Sequence, residues 1–143
     1  MSYRRLLLVG AVIVPVLSLS ACVDRGQADT KLAVACRAAV EALLYEGQKI
    51  DEVKEVRSTP SPVGPDYRHI SLITLTQDGF LQAESQYDCI FQESFGFMKQ
   101  NYTASIHQVQ MEDRTIGQAG DEVLGSVDEF VKLEEAVRAA LYQ

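Results

Sequence analysis

Three cysteines and two histidines are the side chains of this sequence that could act as nucleophiles, general bases or metal ligands: Cys22, Cys36, Cys89, His69 and His107. Neither histidine has a second histidine or a cysteine beside it at the spacing of a metal site. The sequence contains no His-Glu-x-x-His motif, no Gly-x-Ser-x-Gly motif and no phosphate-binding glycine loop. We therefore predict no metal, no cofactor and no enzymatic activity. A hydrolase that uses His69 or His107 is the catalytic alternative.

Acidic residues outnumber basic residues by 20 to 13, which gives a formal net charge of −7. Six of the acids lie between residues 112 and 129: Glu112, Asp113, Asp121, Glu122, Asp128 and Glu129. They lack the alternating oxygen ligands and the central glycine of a calcium-binding loop. They therefore predict a solvated acidic face, which keeps a small domain soluble. Such a surface repels nucleic acid and favours cationic partners.

The first 22 residues have the layout of a secretory signal. A basic start, Met1–Arg5, precedes an apolar run from Leu6 to Leu19, and small residues follow. The apolar run has about 14 residues, fewer than the roughly 20 that a membrane-spanning helix needs. It ends in Leu19-Ser20-Ala21-Cys22, and at all four positions this tetrapeptide resembles the lipobox of bacterial lipoproteins.

The resemblance implies that the Cys22 thiol carries a diacylglycerol, that the chain is cut before Cys22, and that the new amino group is acylated. Two or three acyl chains on one residue suffice for stable membrane anchoring. The implied location is the cell membrane, facing the periplasm. The outer membrane is favoured over the inner one, because Val23 rather than an aspartate follows Cys22. An ordinary secretory signal, in which Cys22 is a chance residue, is the alternative.

A lipidated Cys22 leaves Cys36 and Cys89 as an even pair in an oxidising compartment, for which a disulfide is the economical prediction. Cys36 lies on the apolar face of a predicted helix, and Cys89 lies in a predicted strand, Tyr87–Phe91, on the side that would meet that helix. The alternative is two inert buried thiols.

Hydrophobic periodicity predicts one helix, several strands and a second helix. The first helix has Asp29 or Thr30 as its N-cap and Gly47 as its stop, and one apolar stripe. That stripe comprises Leu32, Cys36, Ala39, Val40, Leu43 and Leu44. The predicted strands are Ile50–Arg57, Tyr67–Gln77, Tyr87–Phe91 and Tyr102–Gln110, and a proline-rich loop, Ser58–Pro65, joins the first two.

The end of the chain reads as a polar linker and an amphipathic helix. The helix has one predicted apolar face: Val123, Val127, Phe130, Val131, Val137 and Leu141. Packing on its own domain is favoured over docking on a partner, because a small sheet needs cover. The chain is thus divided into a signal peptide (1–21), a polar tether (22–29), a disulfide-linked domain (30–112), a linker (113–120) and a C-terminal helix (121–143).

The predicted fold class is α+β: an N-terminal helix packed on an antiparallel sheet of about four strands, plus the C-terminal helix. This arrangement looks like the helix-on-meander folds of the cystatin type, a likeness of architecture that carries no function. The predicted function is that of a membrane-anchored envelope lipoprotein with a non-catalytic binding or structural role, possessing a protein partner in the envelope and no nucleic-acid partner. The alternative is a periplasmic inhibitor of a cationic hydrolase such as lysozyme.

Overall fold

The structure, a computed structural model, describes residues 24–99 and 101–142. In chain order, six strands lie between two α-helices, α1 (Arg25–Leu43) and α2 (Val127–Leu141). The strands are β1 (Gln48–Pro60), β2 (Tyr67–Asp78), β3 (Leu81–Phe95), β4 (Tyr102–Gln110), β5 (Thr115–Ala119) and β6 (Glu122–Leu124). They form one antiparallel sheet in which every strand pairs with its neighbour in sequence. The predicted signal peptide and the predicted lipid-bearing Cys22 lie outside the described residues.

The α+β class is confirmed, but the prediction of about four strands is wrong because the sheet has six. Strand β5 lies within the segment 113–120 that was predicted to be a linker, and β6 lies where the C-terminal helix was predicted to begin. These strands are short and largely exposed, and Ile116 is the only large apolar side chain that they bury. Two such strands therefore leave no alternating apolar pattern in the sequence.

The N-cap of helix α1 lies five or six residues before the predicted one, Asp29 or Thr30. Asp24 is the N-cap, and its carboxylate accepts a hydrogen bond of 2.7 Å from the backbone N–H of Gln27. Most of the predicted polar tether is therefore helical, with polar side chains on the exposed turn and Ala28 buried beneath it. The helix ends at Leu43, before the predicted stop at Gly47, which instead adopts a positive φ in the turn to β1.

The core lies between α1 and the sheet. The predicted apolar stripe of α1 is buried from Leu32 to Leu43, with Leu44 partly buried at its end. It packs against inward-facing strand residues that include Ile70, Leu72 and Phe91. A disulfide joins Cys36 of α1 to Cys89 of β3, with Cα atoms 5.7 Å apart, as predicted.

Helix α2 packs on its own domain, against α1 and strands β4 and β5. Its buried residues are Leu133, Val137 and Leu141, with Phe130 partly buried. The predicted apolar face was wrong at Val123, Val127 and Val131, which are exposed, and it omitted Leu133. The helix starts at a capping box in which Ser126 and Glu129 satisfy each other's backbone N–H groups, so Val123 lies before the helix in β6 and Val127 lies in its first turn.

Candidate binding groove at one end of the sheet

The domain has two distinct ends, set by the direction of α1. The Arg25 end holds the start of α1, the β1–β2 turn and the β3–β4 turn, as shown by the contact of Arg25 with Glu93. The Tyr45 end holds the residues that follow α1, the β2–β3 turn and the turn after β4, as shown by the contact of Tyr45 with Asp113. A helix of 19 residues separates the two ends by about 28 Å.

A groove of about 330 Å³ opens at the Tyr45 end. Apolar side chains from three places in the fold form its walls: Leu44 after α1, Leu81 and Ala83 at the start of β3, and Met111 after β4. The volume lies at the lower limit of small-molecule sites. The groove therefore has room for one or two side chains of a partner or for a small ligand.

The floor of the groove is a ladder of buried hydroxyl groups. The Thr76 hydroxyl lies 3.1 Å from the Thr74 hydroxyl and 3.2 Å from the Tyr87 hydroxyl, and Thr74 donates a 3.3 Å hydrogen bond to the Ser85 carbonyl. Buried polar groups that satisfy one another hold a fixed geometry. The ladder therefore makes the floor rigid.

Three acids form the rim of the groove: Asp78, Glu112 and Asp113. Within the described residues, none of them has a basic side chain at ion-pair distance. Asp78 accepts a 3.0 Å hydrogen bond from Gln48, and Asp113 accepts one of 2.8 Å from the Tyr45 hydroxyl. The bond to Asp113 is the main cause that raises the pKa of Tyr45. The rim is thus negatively charged at neutral pH.

Arg114 joins the rim to both helices. Its guanidinium donates to a Glu129 carboxylate oxygen at 2.8 Å and to the Leu43 carbonyl at the end of α1, and it lies 4.7 Å from the centroid of the Tyr45 ring. The positive charge of Arg114 is therefore already paired with Glu129 and stacked on Tyr45. It holds the groove together and leaves the three rim acids uncompensated.

The β2–β3 hairpin carries an exposed aromatic tip beside the groove. Gly79 and Phe80 form a tight two-residue turn between paired Asp78 and Leu81. The Phe80 side chain is fully exposed, and Leu81 next to it is also exposed. This tip adds an apolar contact surface to the Tyr45 end.

The two histidines make different contacts within the described residues. His69 Nε2 lies 2.9 Å from an Asp88 carboxylate oxygen on the neighbouring strand. The His107 ring packs edge-on against Tyr67, with centroids 4.9 Å apart. No serine, threonine or cysteine hydrogen bonds to either ring in the part of the chain that is described. The pairing of His69 with Asp88 is therefore a cross-strand polar contact.

A partly buried ion network fixes the Arg25 end. The Glu93 side chain, only 7% exposed, accepts two hydrogen bonds from Arg25, at 2.9 and 2.7 Å, and one of 2.7 Å from the Tyr102 hydroxyl. Arg68 pairs with Asp29 of α1 through two further bonds, at 3.0 and 2.6 Å. These contacts hold the first turn of α1 against β2, β3 and β4.

We expect the free energy of unfolding of Tyr102→Phe to fall less steeply with rising pH, in the alkaline range, than that of the parent protein. Burial, together with the hydrogen bond to Glu93, raises the pKa of Tyr102 above its usual 10. Because the folded state holds this proton more tightly, its contribution is complete below pH 10 and is lost as pH rises above that value. Urea unfolding at several pH values between 8 and 11 gives the free energy of unfolding as a function of pH. The slope of this dependence should be lower in the variant by up to about 1.4 kcal/mol per pH unit. Identical slopes would contradict this role for Tyr102.

The structure brings together one predicted pair, Cys36 and Cys89, while Cys22 lies outside the described residues. The groove was not predicted, because its residues come from four separated segments and share no sequence pattern. The only sequence feature that pointed to it was the pair of acids Glu112 and Asp113, for which we predicted a solvated acidic face. Both residues are exposed, in agreement with that assignment.

Within residues 24–99 and 101–142, no cluster of histidine, cysteine, aspartate and glutamate could hold a metal ion, and no helix is long and apolar enough to cross a membrane. Comparison with known proteins adds no assignment: no protein-family model, no curated protein and no solved structure matches this chain significantly. The fold and the groove geometry therefore carry the functional argument.

Proposed function

We propose that this protein is a lipoprotein of the bacterial cell envelope with a non-catalytic binding role. Acyl chains on Cys22 anchor it to a membrane, most simply the outer membrane, with the folded domain in the periplasm. The groove at the Tyr45 end binds a cationic segment or surface of a protein partner. The observation that carries this proposal is an apolar groove with three unpaired acids on its rim, at the end of α1 opposite its N-cap Asp24.

The chemistry of the groove suits lysine and arginine side chains. These residues have an apolar stem and a charged head, and they place the stem along apolar surface while the head stays in a polar environment. Leu44 and Met111 would contact the stem, and Asp78, Glu112 and Asp113 would face the charge. Opposite charges at a rim also accelerate association with a cationic protein.

The anchor is tested by the mass of the N-terminal peptide. Full-length protein expressed in a bacterium and purified from its membranes should give a peptide that begins at Cys22 and carries acyl groups. Cys22→Ala should move the protein out of the membrane fraction, while its thermal unfolding in detergent stays unchanged. A peptide that begins at Met1, or an unmodified Cys22, would contradict lipid anchoring.

The groove is tested by neutralising its rim. We expect a variant with Asp78→Asn, Glu112→Gln and Asp113→Asn to bind a lysine-rich probe peptide about tenfold more weakly than the parent at low salt. A matched variant with Asp121→Asn, Glu134→Gln and Glu135→Gln has the same net charge and should bind within twofold of the parent. Equal weakening of both variants would mean that net charge, and not the groove, attracts the peptide.

A second candidate function is inhibition of a cationic hydrolase, with lysozyme as the probe enzyme. The feature that favours it is the β2–β3 hairpin, whose exposed Phe80 projects beside the acidic rim. A projecting hairpin can enter an enzyme cleft while the acids contact the basic surface around it. Phe80→Ser would then abolish inhibition of lysozyme, whereas the groove proposal predicts no inhibition by the parent protein. The cystatin-type likeness stays a prediction about architecture and adds nothing to this choice.

A further inference from the structure

The β3–β4 turn at the Arg25 end exposes a cluster of large apolar side chains. Phe97 is 87% exposed, Met98 is 70% exposed and Phe95 is 38% exposed. They project from a turn closed by a 2.9 Å hydrogen bond from the Gly96 N–H to the Asn101 carbonyl. We call Phe95, Phe97 and Met98 the apolar loop. Contiguous exposed apolar side chains of this size mark contact with a partner or a membrane.

The backbone of this loop is strained at Met98. Met98 has φ 57° and ψ 26°, a left-handed conformation that favours glycine. It is the only described non-glycine residue with a positive φ. A large apolar side chain therefore stands exposed at a position where a glycine would fold with less strain.

The apolar loop lies beside the start of α1. The Arg25 guanidinium is 5.6 Å from the centroid of the Phe95 ring while it binds Glu93, the residue two before Phe95. Asp24, the N-cap of α1, is the first described residue. Cys22 precedes Asp24 by two residues in the sequence, and two residues of extended chain span at most about 7 Å.

The four charged side chains of the ion network at this end balance one another. Arg25 and Arg68 are paired with Glu93 and Asp29, so the network beneath the loop is close to neutral. The Tyr142 side chain, which is exposed, reaches the same end through a 3.3 Å hydrogen bond to the Ala104 carbonyl. Tyrosine and phenylalanine beside a neutral polar layer suit the membrane interface, whereas the unpaired acids of the Tyr45 end do not.

We propose that the apolar loop inserts into the interfacial region of the membrane next to the acyl chains on Cys22, so that the domain has a fixed orientation. This inference rests on the proposed lipid anchor. The loop and the anchor form two adjacent attachment points, which hold α1 away from the bilayer plane. The groove is then held about 28 Å from the membrane and faces the periplasm.

The absence of tryptophan from the sequence makes the loop directly testable. Phe97→Trp and Phe80→Trp each create a single reporter, one in the apolar loop and one at the hairpin tip. Full-length protein is purified and incorporated into vesicles of phosphatidylethanolamine and phosphatidylglycerol. We expect the tryptophan at 97 to have blue-shifted emission, strong quenching by brominated lipid and several-fold less quenching by aqueous iodide than the tryptophan at 80.

A second arm separates failure of this inference from failure of the lipid anchor. If Cys22 carries no lipid in cells, its thiol is free while Cys36 and Cys89 are joined, so a maleimide with one acyl chain can be attached there. A single chain gives only marginal membrane binding. We then expect Phe97→Ser with Met98→Ser to lower vesicle partition roughly tenfold or more, and the matched pair Phe80→Ser with Leu81→Ser to leave it unchanged.

Two results would overturn the inference. The first is equal iodide quenching of the tryptophans at 97 and 80 in vesicles. The second is protection of the tryptophan at 97 that needs no vesicles and increases with protein concentration, which would assign the apolar loop to contact with a second copy of the chain. Met98→Gly is the control for misfolding. It removes the Met98 side chain and also relieves the strain of the left-handed backbone.

Discussion

Replacing both Cys36 and Cys89 with alanine should lower the free energy of unfolding by about 4 kcal/mol. The bridge closes a loop that spans 53 residues and contains β1, β2 and most of β3. Closing a loop of this length restricts the unfolded chain and thereby stabilises the folded state. Both cysteines are fully buried, so the alanines also lose packing against Ile70 and its neighbours. Urea unfolding followed by circular dichroism would measure the difference.

Cys22→Ala is the matched control for this prediction, since it removes a cysteine outside the described domain. We expect it to leave the unfolding midpoint unchanged. Unfolding the parent protein in the presence of a thiol reductant should reproduce most of the loss. A difference below about 1 kcal/mol for the double variant, or labelling of Cys36 and Cys89 in protein unfolded without reductant, would contradict a structural disulfide.

The parts of the fold that could be predicted from the sequence are those with dense apolar periodicity. The stripe from Leu32 to Leu43 gives α1 its buried face, and Tyr102–Gln110 matches β4 at both ends. Tyr87, Cys89 and Phe91 alternate on the inward side of β3, as the period of two predicts. In these segments one face is buried, so apolar residues recur in the sequence with the period of the helix or the strand.

The parts that could not be predicted are set by contacts between segments and not by local pattern. Strands β5 and β6 are held by pairing with β4 and with each other, and their side chains are mostly exposed. The start of α2 depends on the capping box at Ser126, and a start placed at Asp121 wrongly includes β6 with Val123 in the helix. The two missed strands and the helix start that was predicted too early therefore have one cause, which is that contacts between segments set them.

The candidate groove was beyond sequence analysis for a related reason. Its walls come from Leu44, Leu81 and Met111, which belong to three different segments. Each of these side chains alone reads as an ordinary apolar residue near the end of an element. Only the meander, which returns the end of β2, the start of β3 and the end of β4 to the end of α1, brings them together with the rim acids. The groove and the apolar loop at the opposite end are thus products of topology.

Gly117→Ala should be among the most destabilising single substitutions in this domain, at about 3 kcal/mol or more. Gly117 is buried in β5 and has φ +128°, a conformation that residues with a side chain rarely adopt. A Cβ at this position would lie 2.3 Å from the His107 carbonyl oxygen and 2.6 Å from the Gln108 Cα, both of them backbone atoms of β4. Because a rotamer change cannot move backbone, β5 must separate from β4 to admit the methyl group.

Hydrogen exchange would locate the damage, with protection lost first in β5 and β6 and in the β4 amides that pair with them. Gly120→Ala is the matched control in the same segment. Gly120 also has a positive φ, +64°, but a Cβ there has no atom within 4 Å. It should therefore cost only the backbone strain of about 1 kcal/mol. If both substitutions lowered stability equally, the close approach of β5 to β4 at Gly117 would not be what confines that position to glycine, and backbone conformation alone would account for it.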